Sequence, residues 1–119
     1  MAGKELVLDL GTEGGGATIF RTRSDAGDWQ FHIEGNALEL DENEDEVWRS
    51  WSTEPVPNIE VALRAVAEDD SWVFFFPIEI HPEYRTIVRE LVEAAVAKLP
   101  AERRDTGNGQ RAVWQRLCK

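Results

Sequence analysis

Two histidines, a set of glycines behind an aspartate, and 23 carboxylates are the residues in this chain that could do chemistry. In the stretch LDLGTEGGGATIF, Leu8 to Phe20, an apolar strand reaches Asp9, Gly11 and Thr12, and three more glycines lead into a second apolar strand. Such a loop could hold a nucleotide phosphate, or it could be a hairpin turn whose glycines supply positive φ. No Gly-Lys-Ser/Thr follows the glycines, which excludes a Walker-type loop. His32 with Glu34, and His81 with Glu79 and Glu83, each supply part of a zinc ligand set, since a catalytic zinc takes three protein ligands from His, Cys and carboxylate. Neither has His-Glu-x-x-His spacing. His81 flanks a helix start and His32 lies on the wet face of a strand, so no metal and no cofactor is expected. For acid and base work the carboxylate pairs are too many to choose among, and Asp9, on a strand beside Val7, is the most notable single acid. A serine triad would need His32 or His81 to meet Ser24, Ser50, Ser52 or Ser71, yet no Gly-x-Ser-x-Gly elbow presents any of them. Cys118, close to the C-terminus, is a poor nucleophile and offers neither a disulfide nor a cysteine zinc site.

The elements that must position these residues can be read from periodicity. Leu6, Leu8 and Leu10 alternate, and Ala17, Ile19 and Phe20 open a second strand, so the first segment predicts a hairpin. Trp29, Phe31 and Ile33 alternate with Gln30, His32 and Glu34, a strand with one wet face. Gly35-Asn36 has the composition of a tight turn, with Leu38 and Leu40 resuming a fourth strand. Glu39, Asp41, Glu42, Glu44, Asp45 and Glu46 then precede Trp48 and Trp51, whose spacing of three predicts a short helix carrying both indoles on one face. Asn58 can cap a helix in which Ile59, Ala62, Leu63 and Val66 face the core, with Glu60, Arg64 and Glu68 on its solvated side. The run SWVFFFPIEI is apolar on both faces and predicts a central strand over 71–76. From HPEY onward, Pro82 opens the longest helix, with Tyr84, Ile87, Val88, Leu91, Val92, Ala95 and Leu99 as its stripe and Pro100 as its end. AERRDTGNG reads as a linker, and Ala112, Val113, Trp114 and Leu117 as a short terminal helix.

With 119 residues and 42% apolar composition the chain can bury one core. The expectation is a single α+β domain over 1–119, with 100–109 a mobile linker to a short C-terminal helix. No run is long and apolar enough to span a bilayer, and the charged N-terminal stretch MAGKELVLDLG does not read as a signal peptide, so a cytoplasmic protein away from membranes is expected. Net charge is −10. Residues 98–119 carry six Lys/Arg against Glu102 and Asp105, a balance of +4, which leaves −14 on residues 1–97. An acidic body repels phosphates, which argues against nucleic acid and for a basic protein partner.

Two resemblances add to this. Asp9, Gly11 and Thr12 resemble the first phosphate motif of the actin, hexokinase and sugar-kinase superfamily over about a dozen positions. That superfamily needs two lobes, each longer than this chain, so the hairpin-turn reading is preferred. The segment Ile59 to Val92, with EVALRAV, Trp72, Pro77 and IHPEYRTIV (His81, Pro82, Glu83, Tyr84), resembles a pattern in small uncharacterised bacterial α+β proteins. That resemblance implies a compact fold, of the immunity-protein kind that neutralises a toxin by binding it, without an assigned activity.

The expected fold is therefore an antiparallel four-stranded meander plus a fifth strand, with helices packed on one face. The expected function is non-enzymatic: an immunity- or adaptor-like bacterial protein that presents Glu39, Asp41, Glu42, Glu44, Asp45, Glu46, Trp48 and Trp51 to a basic partner. The alternative is a small hydrolase or lyase using Asp9, His32 and nearby carboxylates. Homodimerisation through the sheet face around Gln30, His32 and Glu34, or through the terminal helix, is a third possibility.

Overall fold

Alternating apolar residues build the sheet and leave helices to cover one side of it. The computed structural model describes residues 3–12, 14–67 and 70–119. Among these, five strands form one antiparallel sheet: β1 (Glu5–Thr12), β2 (Gly15–Arg23), β3 (Trp29–Leu40), β4 (Glu46–Ser52) and β5 (Phe76–Ile80), in the order β4-β3-β2-β1-β5. Leu8, Leu10, Ala17, Ile19, Phe31 and Ile33 share one face and are buried. A bulge between Leu6 and Leu8 turns Val7 into the core as well, so consecutive residues of β1 are both buried. Three helices among the described residues, α1 (Ile59–Val66), α2 (Arg85–Lys98) and α3 (Ala101–Leu117), cover that face and make a slab of 46 × 45 × 21 Å, two layers thick. The expected α+β class, with helices on one side, is the observed one. No described helix is long and apolar enough to cross a membrane.

Individual elements depart from expectation for identifiable reasons. Gly35-Asn36 is not a turn, because β3 runs straight through it to Leu40. A side chain at Gly35 would collide with the Trp51 indole, so glycine there admits a neighbouring ring instead of reversing the chain. The fourth strand is Glu46–Ser52, where the tryptophan spacing predicts a helix. Ser71–Phe74 is a single 3₁₀ turn that buries Trp72 and Val73. The fifth strand begins only at Phe76 and lies at the sheet edge beside β1, not centrally.

The helices are closer to expectation. Asn58 caps α1, its Oδ1 accepting the Val61 N–H at 2.9 Å, and Glu60 pairs with Arg64 one turn on at 3.0 Å. Glu68, expected on the same side, lies outside the described residues. A 3₁₀ turn at Pro82–Tyr84 precedes α2, and the His81 Nδ1 caps it by accepting the Glu83 N–H at 3.1 Å. Val88, Val92 and Ala95 are buried as the stripe requires, whereas Ile87 at its margin is exposed.

The expected linker at 100–109 is instead the first half of α3, the longest helix at 17 residues. Gly107 lies buried against Leu99 and Val96 at the end of α2, so packing between the helices overrides the poor helix propensity of Thr106-Gly107-Asn108-Gly109. Further along α3, the Trp114 Nε1–H donates to the Val73 carbonyl at 2.9 Å and its ring meets Trp72 edge-on at 5.6 Å, which ties α3 to the 3₁₀ turn.

The two glycines of α3 should respond oppositely to the same substitution. Gly109 faces open space, so Gly109→Ala is expected to raise stability by about 0.5–1 kcal/mol. At Gly107 the new methyl meets the buried Leu99 side chain, and forcing it to move costs about 1–3 kcal/mol, which outweighs the propensity gain. Denaturant midpoints of the two variants on opposite sides of the wild type would agree with this packing; equal stabilisation by both would contradict it.

Candidate functional site

The residues expected to bind a partner fall on a hairpin that outgrows the sheet. β3 has 12 residues and β2 nine, and the two pair only from Trp29 to Ala37. The end of β3 therefore continues past its neighbour, with Leu38 opposite Trp48 and Leu40 opposite Glu46 on β4. Side chains alternate between faces, and Trp51 lies opposite Gly35 on the helix side, so Leu38, Leu40 and Trp48 project from the helix-free side. Trp48 is 63% exposed, Leu40 67% and Leu38 36%.

Acidic residues make the turn itself. Asp41 Oδ1 accepts the N–H groups of Asn43 at 2.8 Å and Asp45 at 2.9 Å, and Glu44 takes a left-handed conformation with φ 62°. Glu39 pairs with Arg49 at 3.0 Å. Glu42, Glu44, Asp45 and Glu46 are exposed around the tip. The structure thus gathers Glu39, Asp41, Glu42, Glu44, Asp45, Glu46 and Trp48 on one arm. Trp51 is the exception, because residues three apart in a strand face opposite ways. Its indole covers Gly35 near Ala37, Val66 and Phe75, so the two tryptophans do not form the single face that a helix would give.

The residues considered for catalysis are not brought together. Thr18 Oγ1 donates to Asp9 Oδ1 at 3.0 Å, while His32 stacks on Phe20 with ring centroids 5.7 Å apart. β2 runs between Asp9 on β1 and His32 on β3. Glu34 is held by Lys4 at 2.8 Å. Two of the glycines after Asp9 serve strand approach: a side chain at Gly15 would strike the Asn36 carbonyl, and one at Gly16 would lie 2.7 Å from the Leu10 carbonyl oxygen, whereas Gly14 faces open space. Glu13 and the side chain of Thr12 lie outside the described residues. Among the described residues no three His, Cys, Asp or Glu side chains are grouped to hold a metal ion.

A polar centre that motif reading misses sits at the other end of the sheet. Arg21 has the same strand parity as Ala17 and Ile19, so its guanidinium points under the helices and is only 4% exposed. That parity was the available signal. Nη1 donates to Glu83 Oε2 at 2.8 Å and to the Tyr84 hydroxyl at 3.0 Å, and Nη2 donates to Glu5 Oε2 at 2.9 Å. The guanidinium also lies 4.0 Å from the centre of the Trp29 ring, with Arg23 at 4.2 Å. Its buried Nε–H has no hydrogen-bond partner among the described residues. The bond to Glu83 raises the Arg21 pKa still further, against the opposing effect of burial, and Arg21 in turn holds the Glu83 carboxyl below its ordinary value of 4.5.

Because the Glu83 pKa is depressed on folding, its contribution is complete above the unfolded value near 4.5 and is lost as pH falls below that through the folded value. Stability of the wild type should therefore fall more steeply below about pH 4.5 than that of Glu83→Gln. Parallel urea midpoints from pH 6 to pH 3 (roughly the window in which folded carboxylates titrate) would remove this role. The centre is also asymmetric to mutation. Glu5 and Glu83 are 46% and 63% exposed and can rehydrate alone, whereas the buried guanidinium cannot. Arg21→Met should lower the melting temperature less than the double change Glu5→Gln with Glu83→Gln. Burial pushes the Cys118 thiol up in pKa, with Arg89 and Arg85 opposing, so native protein should resist alkylation at pH values where the urea-unfolded chain reacts.

No family model matches this chain, and neither a curated protein nor a solved structure matches it.

Proposed function

We propose that this protein is a non-enzymatic, immunity- or adaptor-like binding protein that presents the helix-free side of the β3–β4 hairpin to a basic protein partner. The observation that carries the reading is the exposure of Trp48, Leu38 and Leu40 side by side on an arm whose tip is acidic. A tryptophan side chain buries about 150–250 Å², so covering the exposed part of Trp48 is worth roughly 2–4 kcal/mol before the costs of association. Such a centre with a charged rim is the composition of an interface anchor. Glu42, Glu44, Asp45 and Glu46 set the sign of the partner, because their field draws a basic surface and repels an acidic one.

Two variants separate the anchor from the rim. Trp48→Ala is expected to weaken capture of the native-host partner about tenfold or more at any salt concentration, as loss of an anchor does. Reversal of Glu42, Glu44, Asp45 and Glu46 to lysine should abolish capture at low ionic strength, and wild-type affinity should decline as salt is added. A partner recovered equally by the wild type and by both variants would place the interface elsewhere.

A further inference from the structure

The backbone of β4 points to how that partner is held. In an antiparallel pair the N–H and C=O groups of alternate residues face the neighbour and those between face away. On β3 the odd residues turn toward β4: Phe31 exchanges both bonds with Val56, and the Ile33 carbonyl accepts the Thr53 N–H at 3.0 Å. Leu38, an even residue, donates to Gly14 on the β2 side at 2.8 Å. Through the register, Val47, Arg49 and Trp51 bond to β3, while the N–H and C=O groups of Glu46, Trp48, Ser50 and Ser52 face outward. Among the described residues no backbone group of another segment bonds to these four. β4 is thus an open edge.

The opposite edge is blunted. β5 has five residues, contains Pro77 and is broken by a register shift, and Gln110 of α3 reaches over to the Phe75 carbonyl at 2.9 Å. β4 has seven residues and no proline, and all except Val47 are exposed. We infer that an extended basic segment of the partner adds to β4 as a sixth antiparallel strand, which rests on the reading of the hairpin as the partner surface. Its outward-facing arginine or lysine residues would stack on Trp48 and pair with Glu46, which the edge turns to the helix-free side together with Ser50 and Ser52. Charge selects this occupant over a second copy of the chain, since self-pairing would align hairpins with six carboxylates each on molecules of net charge −10.

The test uses an acetylated and amidated octapeptide alternating valine with lysine, added to the full chain at low ionic strength. Hydrogen exchange followed by NMR should show the Trp48 and Ser50 amides slowed about tenfold, while those of Val47 and Arg49, already bonded to β3, change little. N-methylation of alternate peptide amides should weaken binding about tenfold without altering charge. Ser50→Pro should do the same, because it removes an outward N–H and spares the bonds to β3; if that variant does not fold, the methylated peptide still decides. Binding with Trp48 and Ser50 unprotected, or undiminished by methylation, overturns strand addition and leaves the basic-partner surface standing. Absence of binding at low ionic strength overturns it too, and a doubled mass by light scattering without peptide, returned to the monomer value by Ser50→Pro, would assign the edge to a second copy.

Discussion

A sheet covered on one side only is the constraint from which the rest of this molecule follows. The hydrophobic effect drives Leu8, Leu10, Ile19 and Ile33 against α1, α2 and α3, and that single buried layer is the core. The helix-free face has no layer to bury against, so its side chains cover one another, Lys4 over Phe20, Thr18 on Asp9 and His32 on Phe20, while Phe76 and Ile78 of β5 stay exposed. Where β3 outruns β2 there is no core on either side. The hairpin survives there through its cross-strand contacts and its turn, and apolar side chains on it remain in water.

The Arg21 centre is the complementary solution at the opposite end of β3. One guanidinium joins β1 through Glu5, β2 through its own backbone and the approach to α2 through Glu83 and Tyr84. A buried charge of this kind contributes little net stability, but it penalises any arrangement in which the carboxylates are elsewhere. It therefore fixes how α2 sits on the sheet more sharply than apolar contacts alone would.

How legible all this was depends on whether a segment's surroundings are visible in its own pattern. The hairpin of β1 and β2, the wet face of β3, the Asn58 cap and the stripe of α2 are written in local alternation, and they hold. β4 is not, because a strand exposed on both faces has no apolar-polar alternation to show, and Trp48 and Trp51 at a spacing of three suit a helix equally well. α3 defeats local reading in the other direction: Gly107 and Gly109 look like a break, and only the proximity of Leu99 and Val96 explains a helix there. In SWVFFFPIEI, burial of both Trp72 and Val73 fits a strand between two layers as well as it fits the 3₁₀ turn that packs against Trp114. Of the candidate site, the acidic residues and Trp48 were legible as a group, whereas the outward backbone of β4 needed the register.

The turn at the end of the arm has one more implication. Asp41 spends its carboxylate on two backbone amides within its own loop, and that clamp restrains the tip before anything meets it. Conformational freedom that a slack loop would surrender on docking has already been given up during folding, so the arm arrives preorganised. A visitor then encounters a stiff prong, and the entropic toll of the encounter falls mainly on the visitor's own chain.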